Sequence, residues 1–247
     1  MQQECSVWAQ NVYPVTCEDR PIENTAPPRF ASGARRPGTG GQFMNVVPIP
    51  AWNDERVRPP VTGLHPASME RSPYNVSLMA LVERFATSLQ RCRLLQGLLA
   101  FRKALHEAGV HRGFQRIDGS FSENIESLER RSPRDIDVVT FLEDHHQTLA
   151  RLVPGHLLDQ RFVKQHFMVD CYWVDSTISM RDLICLSTYW YGLWSHRRSL
   201  QWKGFLEIDL DPSLDDSAHQ LLHAAMRRHC QHADTGNIEL SLPRSSK

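Results

Sequence analysis

The chain has no net charge to speak of: Lys plus Arg and Asp plus Glu each number 28 in 247 residues. That balance excludes a protein that holds nucleic acid through a general positive field, and leaves only a local basic patch for the purpose. There is no run approaching the ~20 apolar residues of a membrane span. The opening MQQECSVWAQ lacks the basic-then-apolar pattern of a signal peptide. No CxxC occurs, and the six cysteines (Cys5, Cys17, Cys92, Cys171, Cys185, Cys230) are scattered. In a chain this long they read as reduced, packed thiols, which predicts a cytoplasmic protein with no membrane partner. There is no internal repeat. Proline is scarce beyond residue 73, because 11 of the 15 prolines lie in residues 1–73.

What is present is unevenly spread. Residues 1 to about 45 contain RFASGARRPGTGGQ and little to bury, so they are expected to be disordered or to lie outside the native protein. Met44 is a candidate natural start, which intact-mass analysis of the native protein would test. Residues 46–76 are punctuated by proline but carry Ile49, Trp52, Val57, Val61 and Leu64, an extended arm packed on the body. Residues 77–247 form the predicted domain. From Ser77 to Ala108 apolar residues (Leu78, Val82, Phe85, Leu89, Cys92, Leu95, Leu99, Leu105) recur at three- and four-residue steps, predicting one long helix stopped by Gly109. Strands are expected at 113–118, 135–142, 166–174 and 205–210. Helices are expected near 143–153, at 183–194 and from Leu214 to Arg228. The alternation predicts an α/β or α+β domain with a small sheet flanked by helices.

The chemistry gathers in QRIDGSFSENIESLERRSPRDIDVVTFL (115–142). In a strand, residues two apart face the same way, so Asp135 and Asp137 project together while Ile136 and Val138 face the core. Paired carboxylates repel, and each makes the other costlier to ionise. A hard divalent cation such as Mg²⁺ (or Mn²⁺) removes that penalty and completes its shell with water and substrate phosphates. Asp170 is a lone acid inside FMVDCYWV, costly there unless paired or metal-bound. A third carboxylate on an adjacent strand would allow a two-metal site. Gly119 permits close approach of the backbone to a phosphate, and Ser120 adds a hydroxyl. Either motif alone is more often a plain turn; their order along the chain gives them weight.

Gly119-Ser120, then Asp135 and Asp137, then the strand residue Asp170 resemble the pattern of the polymerase-β-like nucleotidyltransferase superfamily over about residues 78–175. The resemblance implies the nucleotidyltransferase fold and an activity that moves a nucleoside monophosphate from an NTP to an acceptor hydroxyl on RNA, protein or nucleotide. It also implies that Asp135 and Asp137 bind both metals, that Asp170 binds the catalytic one and helps activate the nucleophile, and that Ser120 holds phosphate. A narrower resemblance, carried by IPAWN, RFATSLQR, GFQRIDGSF, PRDIDVVTF and WKG from Ile49 to about Leu210, points to an uncharacterised bacterial nucleotidyltransferase-like family. Such families imply a toxin–antitoxin or phage-defence setting with a cognate partner protein. The 14-residue spacer from Ser120 to Asp135 is longer than the minimal pattern.

Lesser candidates surround this core. Arg197, Arg198 and Lys203 beside Trp202 suit triphosphate or an RNA backbone, and equally a solvated loop. Arg130, Arg131 and Arg134 are expected to solvate the spacer. His219, His223, His229, Cys230 and His232 invite zinc, but the set is irregular. Tyr189, Trp190, Tyr191 and Trp194 fit a core better than a base-stacking wall. From a different class, the same residues would serve a nucleotide-binding antitoxin or sensor without turnover. Intact carboxylates weigh against that alternative.

Overall fold

The order of elements in the computed structural model is β1 (Tyr74–Asn75), α1 (Leu78–Phe85), α2 (Leu89–Glu107), β2 (Gly113–Asp118), α3 (Ile125–Glu129), β3 (Ile136–Leu142), α4 (Leu149–Leu152), α5 (Gly155–Leu158), α6 (Gln160–Phe167), β4 (Val169–Asp175), α7 (Met180–Trp194), β5 (Leu206–Asp209) and α8 (Asp215–Glu239). Residues 46–143 and 149–239 are described, with side chains as far as Gln231. The expectations for residues 1–45, the start at Met44 and the imidazole of His232 lie outside the described residues.

The five strands make one mixed sheet in the order β1-β5-β2-β3-β4. β2 runs antiparallel to both β5 and β3, while β3–β4 and β1–β5 are parallel. Alternation sorts the side chains between two faces. Ile117, Ile136, Val138, Val169, Cys171, Leu206 and Ile208 join the larger core with α1, α2, α6 and α8. Val139, Phe141, Val174 and Phe205 face the other way and are covered by Trp190 and Trp194 of α7. The aromatic residues of α7 are therefore largely core, as their spacing predicts.

The apolar period from 77 to 108 continues through a break. Two helices occupy the stretch, because Ser88 adopts an extended backbone and its hydroxyl accepts from the Arg91 amide at 3.3 Å, opening α2 afresh. The strand expected from His166 begins only at Val169. Residues 160–167 are helical and end at Met168 in the left-handed region (φ 56°). Of the arm's expected anchors, Val57 is buried and Trp52 packs on the core, whereas Leu64 is fully exposed.

Among the described residues three arginines are buried outright, which composition does not reveal. Arg102 of α2 donates to the Asp215 carboxylate (2.8 and 3.1 Å), to Gln115 Oε1 (3.1 Å) and to the Asp209 carbonyl (3.0 Å). It ties α2 to the sheet and to α8. Arg58 and Arg91 lie at the other end of the sheet and brace the loop that follows β2.

Candidate functional site

The register of the sheet brings carboxylates into a row. Asp118, the last residue of β2, is the cross-strand partner of Asp137 in β3, and Asp137 is the partner of Asp170 in β4. Partners on neighbouring strands lie about 4.8 Å apart across the sheet, so three acids occupy one line on the face covered by α7. Asp135 adjoins the row just before β3. Burial, together with the Asp118, Asp135 and Asp170 carboxylates, pushes the Asp137 carboxyl up to about 7.

The row is the floor of a cavity of about 610 Å³, within the range of small-molecule sites. Gly119, Ser120, Arg197, Arg198 and Lys203 all line it, as do Arg131 and Arg134 of the spacer and Tyr172, Trp190 and Trp194 of its apolar wall. Together with Asp135, Asp137 and Asp170, the residues assigned to nucleotidyl transfer in the sequence thus border one space. Gly119 has φ +77°, and a Cβ there would collide with Asp137 Oδ2, so glycine is the one residue that lets the loop close over that carboxylate.

The cations of the cavity differ in how free they are. Lys203 is not an open phosphate ligand: its side chain is 4% exposed and its ammonium bonds Asp118 (2.8 Å) and Glu123 (3.0 Å). Burial alone would lower it, but those two carboxylates outweigh burial and raise it. Arg197 pairs with Glu123 (2.9 Å) and Glu129 (2.7 Å). Arg134 and Arg198 are exposed at the lip. Lys164 of α6 bridges Asp135 and Asp170, 2.7 Å from an oxygen of each, and Gln160 donates to the other Asp170 oxygen.

The spacer that lengthens the Gly-Ser-to-Asp pattern is built and held. The Ser122 hydroxyl donates to Asp118 (3.0 Å), and the Ser122 amide closes a turn onto the Gly119 carbonyl (3.1 Å). Arg91 donates to the Phe121 and Glu123 carbonyls (2.7 and 2.8 Å) and forks onto Glu126. Arg58 and Trp52 both donate to the Ser122 carbonyl (2.7 and 3.0 Å). The arm and α2 therefore fix where Gly119 and Ser120 stand.

Asp118, Glu123, Gln160 and Lys164 are functional candidates that the sequence analysis passed over. Asp118 sits beside the Gly-Ser pair and shares the strand parity of Asp137; Gln160 and Lys164 are one helical turn apart. The Gln160–Lys164 spacing was a signal in the sequence; the place of Asp118 in the row, set by the strand register, was not. As to cations, the donors are hard oxygens, which suits Mg²⁺ or Mn²⁺, and Asp137 lines the cavity. Among the described residues, no three His, Cys, Asp or Glu side chains converge as a ready-made metal set. Between Asp135 and Asp170 the cation in place is the Lys164 ammonium. The C-terminal zinc candidates fare no better, since His229 faces the Ala86 carbonyl at 2.9 Å. No helix among the described residues is long and apolar enough to cross a membrane.

A model described as a family of unknown function (DUF6932) matches residues 50–209, more than half of the chain, and the protein belongs to that family. That span contains most of the arm, the carboxylate row and the whole cavity. No curated protein and no solved structure matches the chain.

Proposed function

We propose that this DUF6932 member is a nucleotidyltransferase of the polymerase-β-like kind, Mg²⁺-dependent with Mn²⁺ as substitute. It would move a nucleoside monophosphate from an NTP to an acceptor hydroxyl on RNA, protein or another nucleotide. The observation that carries the proposal is the row Asp118–Asp137–Asp170, with Asp135 beside it and Gly119 pressed on Asp137, on the floor of a cavity lipped by arginines.

Asp135, Asp137 and Asp170 would hold the cation, which when bound neutralises charge on the phosphates and on the leaving pyrophosphate. The chain's own groups do the rest. The Gly119-Ser120 backbone and the Ser120 hydroxyl orient the phosphates, and Arg134 and Arg198 at the lip draw in the triphosphate. Asp170 directs the acceptor hydroxyl at the α-phosphorus and takes its proton. The acceptor O–P bond forms as the α–β bridge breaks, and pyrophosphate leaves. Tyr172, Trp190 and Trp194 close the apolar side and restrict water. A toxin–antitoxin or phage-defence setting with a cognate partner belongs to the same proposal.

A binding module without turnover is the second reading, and the resident ion pairs of Lys164, Arg197 and Lys203 favour it. Calorimetry with Mg²⁺ and each NTP, followed by product analysis after long incubation, separates the two. Binding followed by pyrophosphate release supports the enzyme. Binding with the NTP returned intact supports the module.

A further inference from the structure

The cavity contains two lysines, each neutralising two carboxylates, and they are held very differently. Lys203 is 4% exposed and enclosed by Asp118 and Glu123, with Arg197 on the far side of Glu123. Lys164 is 46% exposed and reaches its acids from the rim. Its helix is anchored independently of it: Val163 is buried, Asp159 caps the first turn, and Gly97 of α2 admits the Phe167 carbonyl where any larger residue would collide. Rotation about the lysine side chain alone is enough to withdraw the ammonium. Gln160, one turn earlier on the same face, keeps its bond to Asp170 when that happens, so the carboxylate stays aimed.

We infer that Lys164 is the resident counter-ion of the carboxylate site: it fills the gap between Asp135 and Asp170 in the empty protein and must swing out before a divalent cation can enter. The inference rests on the nucleotidyltransferase reading of those carboxylates. An ammonium 2.7 Å from an oxygen of each acid and a divalent cation cannot share the gap, because both need the same oxygens and like charges repel. Once withdrawn, the ammonium stays at the cavity wall, where the incoming polyphosphate is anionic. Cation and nucleotide therefore load together, and the empty protein binds cation poorly.

The test is Mn²⁺ binding to the nucleotide-free full chain, measured by calorimetry, for wild type, Lys164→Met and Lys164→Arg. Methionine keeps the apolar stem and removes the charge; its thermal transition without metal checks that it is folded. Lys164→Met should bind Mn²⁺ about tenfold tighter or more, as expected when a like charge leaves the site. Lys164→Arg should bind no tighter than wild type. In wild type, the fraction of Lys164 acylated by an amine-reactive reagent should rise severalfold on adding Mn²⁺, which tests the inference without a variant. If wild type binds Mn²⁺ and Lys164→Met binds no tighter, or if Lys164 reactivity does not respond, the counter-ion role is overturned alone. If no folded form binds Mn²⁺ even with NTP present, the metal-site reading falls and takes this inference with it.

Discussion

Asp137→Asn is expected to do two opposite things: stabilise the empty protein at pH 8 and abolish nucleotidyl transfer. Asparagine is nearly isosteric with aspartate but cannot carry charge. In the folded chain, burial and the neighbouring Asp118, Asp135 and Asp170 carboxylates hold the Asp137 carboxyl up at about 7. In the unfolded chain it titrates near ~4. Between those values the folded state binds the extra proton, so stability is fully present at low pH and falls as pH rises through the window, remaining low above ~7. The variant escapes that loss. Its advantage over wild type should be absent near pH 4, grow to about pH 7 and stay constant beyond, at a few kcal/mol, or roughly 5–10 °C in Tm. Thermal unfolding in the presence of a chelator across this range measures it. An equal or lower Tm for Asp137→Asn at pH 8 would contradict the electrostatic account of the row. Activity moves the other way, by at least about a thousandfold, or ~4 kcal/mol of barrier, as the loss of a cation ligand implies. A residue whose loss stabilises the fold and ends function is the pattern of a site rather than of a structural ion cluster.

Lys203→Met is expected to be among the most destabilising single changes in the molecule. The Lys203 side chain is 4% exposed and its ammonium bonds Asp118 and Glu123, whose side chains are 4% and 6% exposed. Without it, burial leaves Asp118 with the Ser122 hydroxyl and no cation, while Glu123 keeps Arg197. Removing one partner of a buried pair costs about 3–5 kcal/mol, a large share of a typical stability of roughly 5–15 kcal/mol. The transition should fall by on the order of 10 °C. Adding Asp118→Asn to Lys203→Met removes the stranded charge and should restore much of the loss, a coupling that a double-mutant cycle reads directly. A Lys203→Met protein as stable as wild type, or one that Asp118→Asn does not rescue, would contradict the buried triad. Lys203 thus acts on the cavity by fixing Asp118 at the end of β2, next to Asp137.

The parts of this site that follow a local period are readable in the chain. The Asp135–Asp137 spacing, the β-branched run after it and the lone acid in FMVDCYWV imply strands with acids on one face, and β3 and β4 carry Asp137 and Asp170 so. The register between strands is not local. Asp118 enters the row only because β2 turns back antiparallel on β3 and sets 118 opposite 137. The α1–α2 break was hidden for a different reason: the apolar stripe runs on across Ala86–Ser88, and one serine cap interrupts the helix without disturbing the period. α6 escaped notice although its eight residues are amphipathic, because its last residues, His166 and Phe167, run on into the apolar stretch read as a strand. With it went Lys164. Arg58 and Arg91 look like surface charges by residue type. Their burial depends on carbonyls of the Gly-Ser loop roughly 30 to 65 residues away, a pairing no window of sequence contains.

The central claim is that the carboxylate row serves the transfer of a nucleoside monophosphate. The most direct measurement is incubation of the purified chain with Mg²⁺, cell lysate and each NTP labelled at the α-phosphate, beside the Asp135→Ala, Asp137→Ala double variant. Stable label on an RNA, protein or nucleotide acceptor with wild type, and none with the folded double variant, is the predicted result. Equal labelling by both proteins, or none by wild type with any of the four nucleotides, would contradict it.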